Sequence, residues 1–383
     1  MRVFVIAGEP SGDALGGAVM AGLKALVPDV TFEGVGGPLM EAQGLSSRFP
    51  MDELSLMGLA EILPKYFHLK RRIAECAEAV VANPPDLLLT IDAPDFSLRV
   101  ARLVKAKSNV RTVHYVAPTV WAWRPGRAAK MAEVIDHVLA LFPFEPPLMQ
   151  AAGMDCDFVG HPVVTQPVAD AAEVAAFRAK HGIGGAPLLL VLPGSRRGEV
   201  ARLAPVFGDV LGRLSQEVPG LRAVLPAAGN VAAQVEEQVA GWPVRPLVLD
   251  PRGQDAEVFA ASKRAAFAAS DLALAASGTV SLELAASDTP MVIAYRMHWL
   301  TQEIIRRKLL VDTVTLVNLV AESRTIPEFI ADRCRSELIA PALRDVLDAP
   351  GAQEEAMRLT MERLGRGGEP PGMRAARAIL ARL

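Results

Sequence analysis

The chain is poor in cysteine, in aromatic residues and in net charge. Its three cysteines, Cys76, Cys156 and Cys334, are far apart and odd in number. That argues against a disulfide framework and for a reducing compartment. Aromatics make up only 5% of the 383 residues, against 51% hydrophobic residues, so the cores must be aliphatic, as in parallel α/β sheets. A formal net charge of -3 lacks the basic excess of a nucleic-acid binder. No apolar stretch approaches the roughly 20 residues of a membrane-spanning helix. The first apolar run is too short for a signal peptide and ends in a turn rather than a cleavage site. These absences point to a cytoplasmic, soluble protein that can still touch a membrane surface.

What the chain does have is alternation. Val3–Ala7, Val30–Val35, Asp86–Asp92, Val110–Val116 and Val138–Leu141 read as strands, with helical patterns between most of them. Leu15, Val19, Leu23 and Leu26, for example, recur at helical spacing. Val159–Val168, with Pro162 and Pro167, reads as a connector, and Ala171–His181 as a helix stopped by Gly182. A second series follows: Leu188–Leu192, Ala223–Leu225, Val244–Leu249, Leu272–Ala276 and Met291–Ala294. The expected fold class is α/β, two doubly wound Rossmann-like domains facing a cleft. The first spans 1–165 and the second 166–364. After the breaker-rich Gly365–Gly372 a last helix, 373–383, has an apolar face that must dock and is expected to return to the first domain.

Several short stretches sit where such sheets place chemistry. Gly8-Glu9-Pro10-Ser11-Gly12-Asp13 and Pro193-Gly194-Ser195-Arg196 each follow a strand and open a helix, leaving backbone N–H groups for an anion. Each also reads as an ordinary strand–turn–helix junction. In the second, Ser195 suits a helix cap and Arg196 a phosphate. Ser277-Gly278-Thr279 is another candidate anion nest, near the first if their strands are neighbours. Glu283 lies one turn beyond it, where a carboxylate can accept two ribose hydroxyls or simply face solvent. Asp92 and Asp95 follow a strand, with Pro94 stiffening the elbow. Either carboxylate could cap the next helix, Asp95 more naturally than Asp92. Asp13 could cap the helix that follows it. Trp121, Trp123 and Arg124 form a further loop, as readily packed as binding. Met57–Arg72 mixes Met57, Leu59, Ile62, Leu63, Tyr66, Phe67 and Leu69 with Lys65, Lys70, Arg71 and Arg72, and Pro64 is expected to interrupt its helix. It reads either as a core helix or as an element dipping into anionic lipid. Asp155-Cys156-Asp157 resembles a metal-holding Asp-x-Asp pair but lacks a second ligand cluster, and His114 and His161 read as structural.

Taken in order, Gly8–Asp13, Ile91-Asp92-Ala93-Pro94-Asp95-Phe96, Pro118-Thr119-Val120-Trp121-Ala122-Trp123-Arg124, Pro193–Arg196 and Ser277–Thr279 closely resemble the lipid-A-disaccharide synthase family over nearly the whole chain. The resemblance implies a two-domain glycosyltransferase of the GT-B type, without metal or other cofactor. It would transfer 2,3-diacylglucosamine from UDP-2,3-diacylglucosamine to 2,3-diacylglucosamine 1-phosphate, giving a β-1,6-linked disaccharide and UDP. It also implies a peripheral location on the inner face of the cytoplasmic membrane, a homodimer and no nucleic-acid partner. The first domain would then bind acceptor and the second UDP-sugar. By the same resemblance Asp92 is the general base. Gly194, Ser195, Arg196, Ser277, Gly278, Thr279, Glu283 and Asn318 bind the nucleotide. Glu9, Ser11, Asp13 and Asp95 bind the acceptor, and Met57–Leu69 supplies the apolar membrane contact. The family often has threonine where this chain has Pro10, which removes that residue's N–H.

Rival readings remain at this point. A nicotinamide oxidoreductase would want Gly-x-Gly-x-x-Gly and an acidic residue about 20 positions on, a spacing Gly8–Asp13 lacks. A UDP-sugar epimerase on the same fold would consume no acceptor. A non-catalytic sugar or lipid carrier would be indifferent to loss of Asp92.

Overall fold

Strands with no polar face need cover on both sides, and the two apolar ladders of this chain receive it from helices. The computed structural model describes residues 1–54, 59–297 and 309–383, the side chains of 59–65 excepted. The chain divides into two compact units, Met1–Thr165 with Leu364–Leu383, and Gln166–Arg363.

Among the described residues the first unit holds seven parallel strands: β1 (Arg2–Ala7), β2 (Thr31–Val35), β3 (Ser46–Ser47), β4 (Leu87–Ile91), β5 (Arg111–Tyr115), β6 (His137–Ala140) and β7 (Asp155–Phe158). Their order across the sheet is β3-β2-β1-β4-β5-β6-β7. β4 is buried along its whole length. The sheet packs Phe4, Ile6 and Leu88 against Val100 and Val104 of the helix Pro94–Lys105 and Cys76 and Val80 of the helix Leu59–Ala82. The latter helix runs through Pro64 rather than breaking there. Pro64 comes so soon after the helix start that one intrahelical bond, to the carbonyl of residue 60, is forgone.

β7 is the strand that sequence pattern disguised. Its Asp155 and Asp157 are held by cations rather than poised for a metal. Arg111 lies 2.7 Å from Asp155, Arg382 lies 3.0 Å from Asp155 and donates to Asp157, and the buried His137 reaches Asp157 at 2.8 Å. Arg382 thereby ties the chain's last residues to the sheet edge.

The last helix, Pro371–Leu380, packs on the helix Pro10–Leu26. The approach is close enough that a Cβ on Gly372 would lie 2.6 Å from the Ala18 carbonyl oxygen.

Among the described residues the second unit holds six parallel strands: β8 (Leu188–Leu192), β9 (Arg222–Pro226), β10 (Leu247–Leu249), β11 (Leu272–Ala275), β12 (Met291–Tyr295) and β13 (Glu328–Ile330), ordered β10-β9-β8-β11-β12-β13. Its core joins Leu189 and Val191 to Leu203, Phe207 and Leu211 of the long helix Arg197–Glu217 and to Ile339 and Leu343 of Ser336–Asp348. The helix Ala171–Lys180 opens on a reciprocal cap. Asp170 accepts from the Ala172 and Glu173 amides, and Glu173 accepts from the Asp170 amide. Among the described residues no helix is long and apolar enough to cross a membrane.

Gly372→Ala should lower the stability of the protein by about 1–3 kcal/mol, as overpacking does, read from the urea midpoint. Gly351→Ala, where a Cβ meets nothing within 4 Å, should leave it unmoved.

Candidate active site

In each sheet the strand order reverses at one pair of neighbours, β1 with β4 and β8 with β11. The loops leaving the carboxyl ends of such a pair diverge to opposite sides and leave a crevice, the usual ligand position in open parallel sheets. Four of the five motif loops fall at these two places, and the Trp-Ala-Trp-Arg loop follows the neighbouring β5.

In the first unit, β1 runs into Gly8 and Glu9, and the helix begins at Pro10. Proline at the first helical position forfeits only an N–H that would have no intrahelical partner. Opposite, β4 ends in Asp92 and Ala93, both in the left-handed region at φ 49° and 44°. Pro94 keeps Ala93 out of right-handed helical geometry, and the Ser97 hydroxyl donates to the Asp92 carbonyl at 2.9 Å. The two loops touch: a Cβ on Gly8 would lie 2.9 Å from that of Ala93. Val116 and Arg124 also have positive φ. Four of the seven such non-glycine residues among the described residues thus gather after β4 and β5, the kind of clustering seen at active sites.

Asp92 is partly buried, and desolvation lifts its carboxyl above the ordinary aspartate value, against a lowering hydrogen bond from the Ala93 amide. It lines a cavity of about 360 Å3 with Asp95, Arg99, His114, Arg127 and Lys130. Burial pushes the His114 imidazole down to about 4, so it is neutral at physiological pH. Its Nδ1 pairs with the Thr90 hydroxyl at 2.8 Å. Glu9, at the cap, and Ser11, in the first turn of the helix Pro10–Leu26, lie outside this lining.

Asp13 has a different duty from the one expected. It is buried, and its carboxylate accepts from the amides of Gly37, Leu39 and Met40 at 2.9–3.0 Å. It therefore caps the short helix Pro38–Glu41 rather than the helix it stands on.

The Trp-Ala-Trp-Arg loop divides its labour. Trp121 packs edge-on against Phe144 and Phe142, and its indole N–H donates to Glu145 at 3.3 Å. Glu145 also accepts from the Leu141 and Phe142 amides. Burial nonetheless pushes its carboxyl up to about 7. Trp123 instead carries the Arg124 guanidinium on its ring at 4.1 Å.

In the second unit, Gly194, Ser195, Arg196, Ser277, Gly278, Thr279 and Glu283 all line one cavity of about 610 Å3. Gly194 has φ 109°, and a Cβ there would sit 2.7 Å from that of Glu199. The helix cap expected of Ser195 is supplied by Glu199. Its carboxylate accepts from the Ser195 and Arg196 amides at 3.3 Å, from the Arg196 guanidinium at 3.2 Å and from the Tyr295 hydroxyl at 3.2 Å. Across the cavity Lys263 pairs with Glu283 at 2.7 Å. Sequence reading missed Glu199 and Lys263. Lys263 stands 20 positions before its partner in an alanine-rich helix, with no local pattern to mark it.

Asn318 is not in this cavity. It is buried in the helix Leu316–Ala321, its amide donating to the Ile326 carbonyl at 2.9 Å and accepting from the Ile326 amide at 3.0 Å. It holds a turn of backbone, its Nδ2 donating also to the Thr313 hydroxyl at 3.3 Å. Among the described residues no group of three His, Cys, Asp or Glu is arranged to hold a metal ion.

Of the expected membrane segment, Met57 and the side chains of Leu59, Ile62, Leu63 and Lys65 lie outside the described residues. Leu69 is partly buried, whereas Tyr66 is exposed and Phe67 is 81% exposed. Their rings meet edge-on at 5.6 Å. Arg72 is committed to Glu53 and Glu75.

A family model described as lipid-A-disaccharide synthetase matches residues 3–369. The chain belongs to the lipid-A-disaccharide synthase family. It is 68% identical over 383 residues to the lipid-A-disaccharide synthase of Ruegeria pomeroyi, covering all of this chain and 96% of the relative. It is 48% identical to that of Rhodospirillum centenum, covering 99% and 94%. Among solved structures it is similar in fold to a UDP-GlcNAc 2-epimerase from Neisseria meningitidis bound to UDP-GlcNAc (TM-score 0.62, 12% identity, 100% and 99% coverage). It is also similar to S. aureus MnaA bound to UDP (TM-score 0.65, 13% identity, 99% and 94% coverage). At such identities this synthase shares their α/β architecture and nothing narrower.

The Glu145 carboxyl takes up a proton more readily in the folded synthase than in the unfolded chain, between about 4.5 and about 7. Its contribution is therefore lost as pH rises through that window. The urea midpoint should fall from pH 5 to pH 8, and Glu145→Gln, which keeps an acceptor for the two amides, should shrink that fall.

Proposed function

We propose that this family member transfers 2,3-diacylglucosamine from its UDP ester to the 6-hydroxyl of 2,3-diacylglucosamine 1-phosphate, with Asp92 as general base. The reading rests on one observation above all. At the switch point of the first sheet a desolvated carboxylate is held on a strained elbow beside a cavity. A sugar hydroxyl is a poor nucleophile until its proton has somewhere to go. A carboxylate lifted above its ordinary value is a better proton acceptor.

The step is a direct displacement. The acceptor oxygen bonds to the donor's anomeric carbon from the face opposite UDP, the bond from that carbon to the diphosphate breaks, and the hydroxyl proton passes to Asp92. Configuration inverts. Positive charge builds on the donor ring while negative charge builds on the departing diphosphate. In this proposal the amides behind Gly194 and Gly278 and the Arg196 guanidinium stabilise that diphosphate. Glu283 receives the ribose hydroxyls, exchanging them for its present partner Lys263. Glu9, Ser11 and Asp95 remain proposed contacts to the acceptor. Asp13 and Asn318 are left out, since each already holds a backbone segment in place.

The diacylated substrates reside in a lipid surface. The exposed Tyr66–Phe67 pair, with Lys70 exposed nearby on the same helix, is the proposed contact with an anionic inner leaflet, aromatic rings at the interface and cations toward headgroups.

Asp92→Asn should reduce turnover at least about 100-fold, the scale of general-base catalysis, while calorimetric affinity for UDP stays unchanged. In the wild type, the acid limb of kcat/KM should lie above the ordinary aspartate range, activity falling as pH drops and Asp92 takes a proton. UDP release that proceeds without acceptor would refute the transfer reaction.

A further inference from the structure

The cavity beside Asp92 carries more positive charge than a general base needs. The helix Pro94–Lys105 contributes Asp95, Arg99 and Arg102, and the helix Gly126–Ala132 contributes Arg127 and Lys130. Spacings of three and four residues bring each set to one face of its helix. Arg102 is matched by Glu133 at 3.3 Å. Arg99 and Lys130 make no hydrogen bond or ion pair among the described residues. Arg127 leans toward the Trp123 ring, 5.9 Å from its centroid, with Arg124 on the same ring. Three cations thus face a cavity whose carboxylates are Asp92 and Asp95 alone. Such a set repels itself until an anion joins it, and guanidinium groups suit a phosphate with several acceptor oxygens.

We propose that Arg99, Arg127 and Lys130 form the subsite for the phosphomonoester of the acceptor, a proposal that rests on Asp92 being the base for that same molecule. In a hexose, C1 and C5 flank one ring oxygen. A phosphate on C1 and the hydroxymethyl group on C5 are therefore neighbours across it. One cavity of about 360 Å3, within the roughly 300–1,000 Å3 range of small-molecule pockets, can hold the phosphate on the two helices while the hydroxyl meets Asp92. No bond of the phosphate changes; it is a handle that sets the angle of the nucleophile. The donor's diphosphate is assigned to the second unit, so this anion site serves the other substrate. It also gives Trp123 a task, as the surface on which Arg127 rests.

The same chemistry is offered by the headgroup of an anionic phospholipid, and the test separates the two. Full-length Arg99→Gln, Arg127→Gln and Lys130→Gln proteins, singly and combined, are assayed in detergent. The acceptors are the phosphorylated monosaccharide and the same diacylglucosamine without its phosphate. The preference for phosphate, read as the ratio of the two kcat/KM values, should fall about tenfold for each cation removed. Arg127→Lys and Lys130→Arg should restore part of it, and urea midpoints identify any variant that is merely unfolded. A wild type indifferent to the phosphate, or variants that keep its ratio, overturn the proposal. So does a loss confined to binding of phosphatidylglycerol vesicles, which would assign the cations to lipid. Turnover retained by Asp92→Asn would sink the base reading instead. An inactive Asp92→Asn with an unmoved ratio in the cation variants would sink the subsite alone.

Discussion

Divergence of the connections at one strand pair in each sheet is the constraint on which every functional loop depends. Parallel strands cannot be joined by tight turns, so each must be followed by a crossover, and the crossovers leave β1 and β4, or β8 and β11, toward opposite edges. The carboxyl ends at those places are the points where backbone is free of packing from both sides. Gly8 and Ala93 meet at one of them, and Gly194 and Ser277 line the other. Burial of the strands makes the positions rigid, which is why strain at Asp92, Ala93 and Val116 can be maintained.

The two cavities differ in their electrostatic logic. In the second unit each cation lining the cavity already has a carboxylate, Arg196 with Glu199 and Lys263 with Glu283. The proposed diphosphate contact must compete with Glu199 for the Ser195 and Arg196 amides, so binding there is an exchange of one anion for another. Such exchange favours a ligand with several acceptor oxygens over a single carboxylate. In the first unit the balance runs the other way, with unmatched cations around a carboxylate that burial makes reluctant to ionise.

Much of this architecture was legible in the sequence because fully buried parallel strands are unbroken apolar runs. Val3–Ala7, Leu188–Leu192 and Met291–Ala294 announce themselves. β7 did not, since Asp155, Cys156 and Asp157 alternate polar and apolar at a sheet edge and pattern as a metal motif. β3 has two residues, too few for any periodicity. The motif loops were legible because turn chemistry is local. What each polar side chain does was less so. Asp13 turns to amides 24 to 27 positions away, and Asn318 serves a backbone segment at 326. Lys263 finds Glu283 only because two helices bring them together. Long-range hydrogen bonding leaves no trace in composition or spacing.

The helix Pro371–Leu380 belongs to the first unit although all of Gln166–Arg363 comes between. A ribosome therefore delivers β1 through β7 early and the element that covers the Pro10–Leu26 helix only after the whole of the second unit. Until Pro371–Leu380 has been made, the stripe around Ala18 and Gly22 lacks its native cover. The nascent chain must carry that apolar seam through the whole synthesis of the second unit, and a ribosome stalled before Pro371 leaves a product whose earliest-made half is still unsealed.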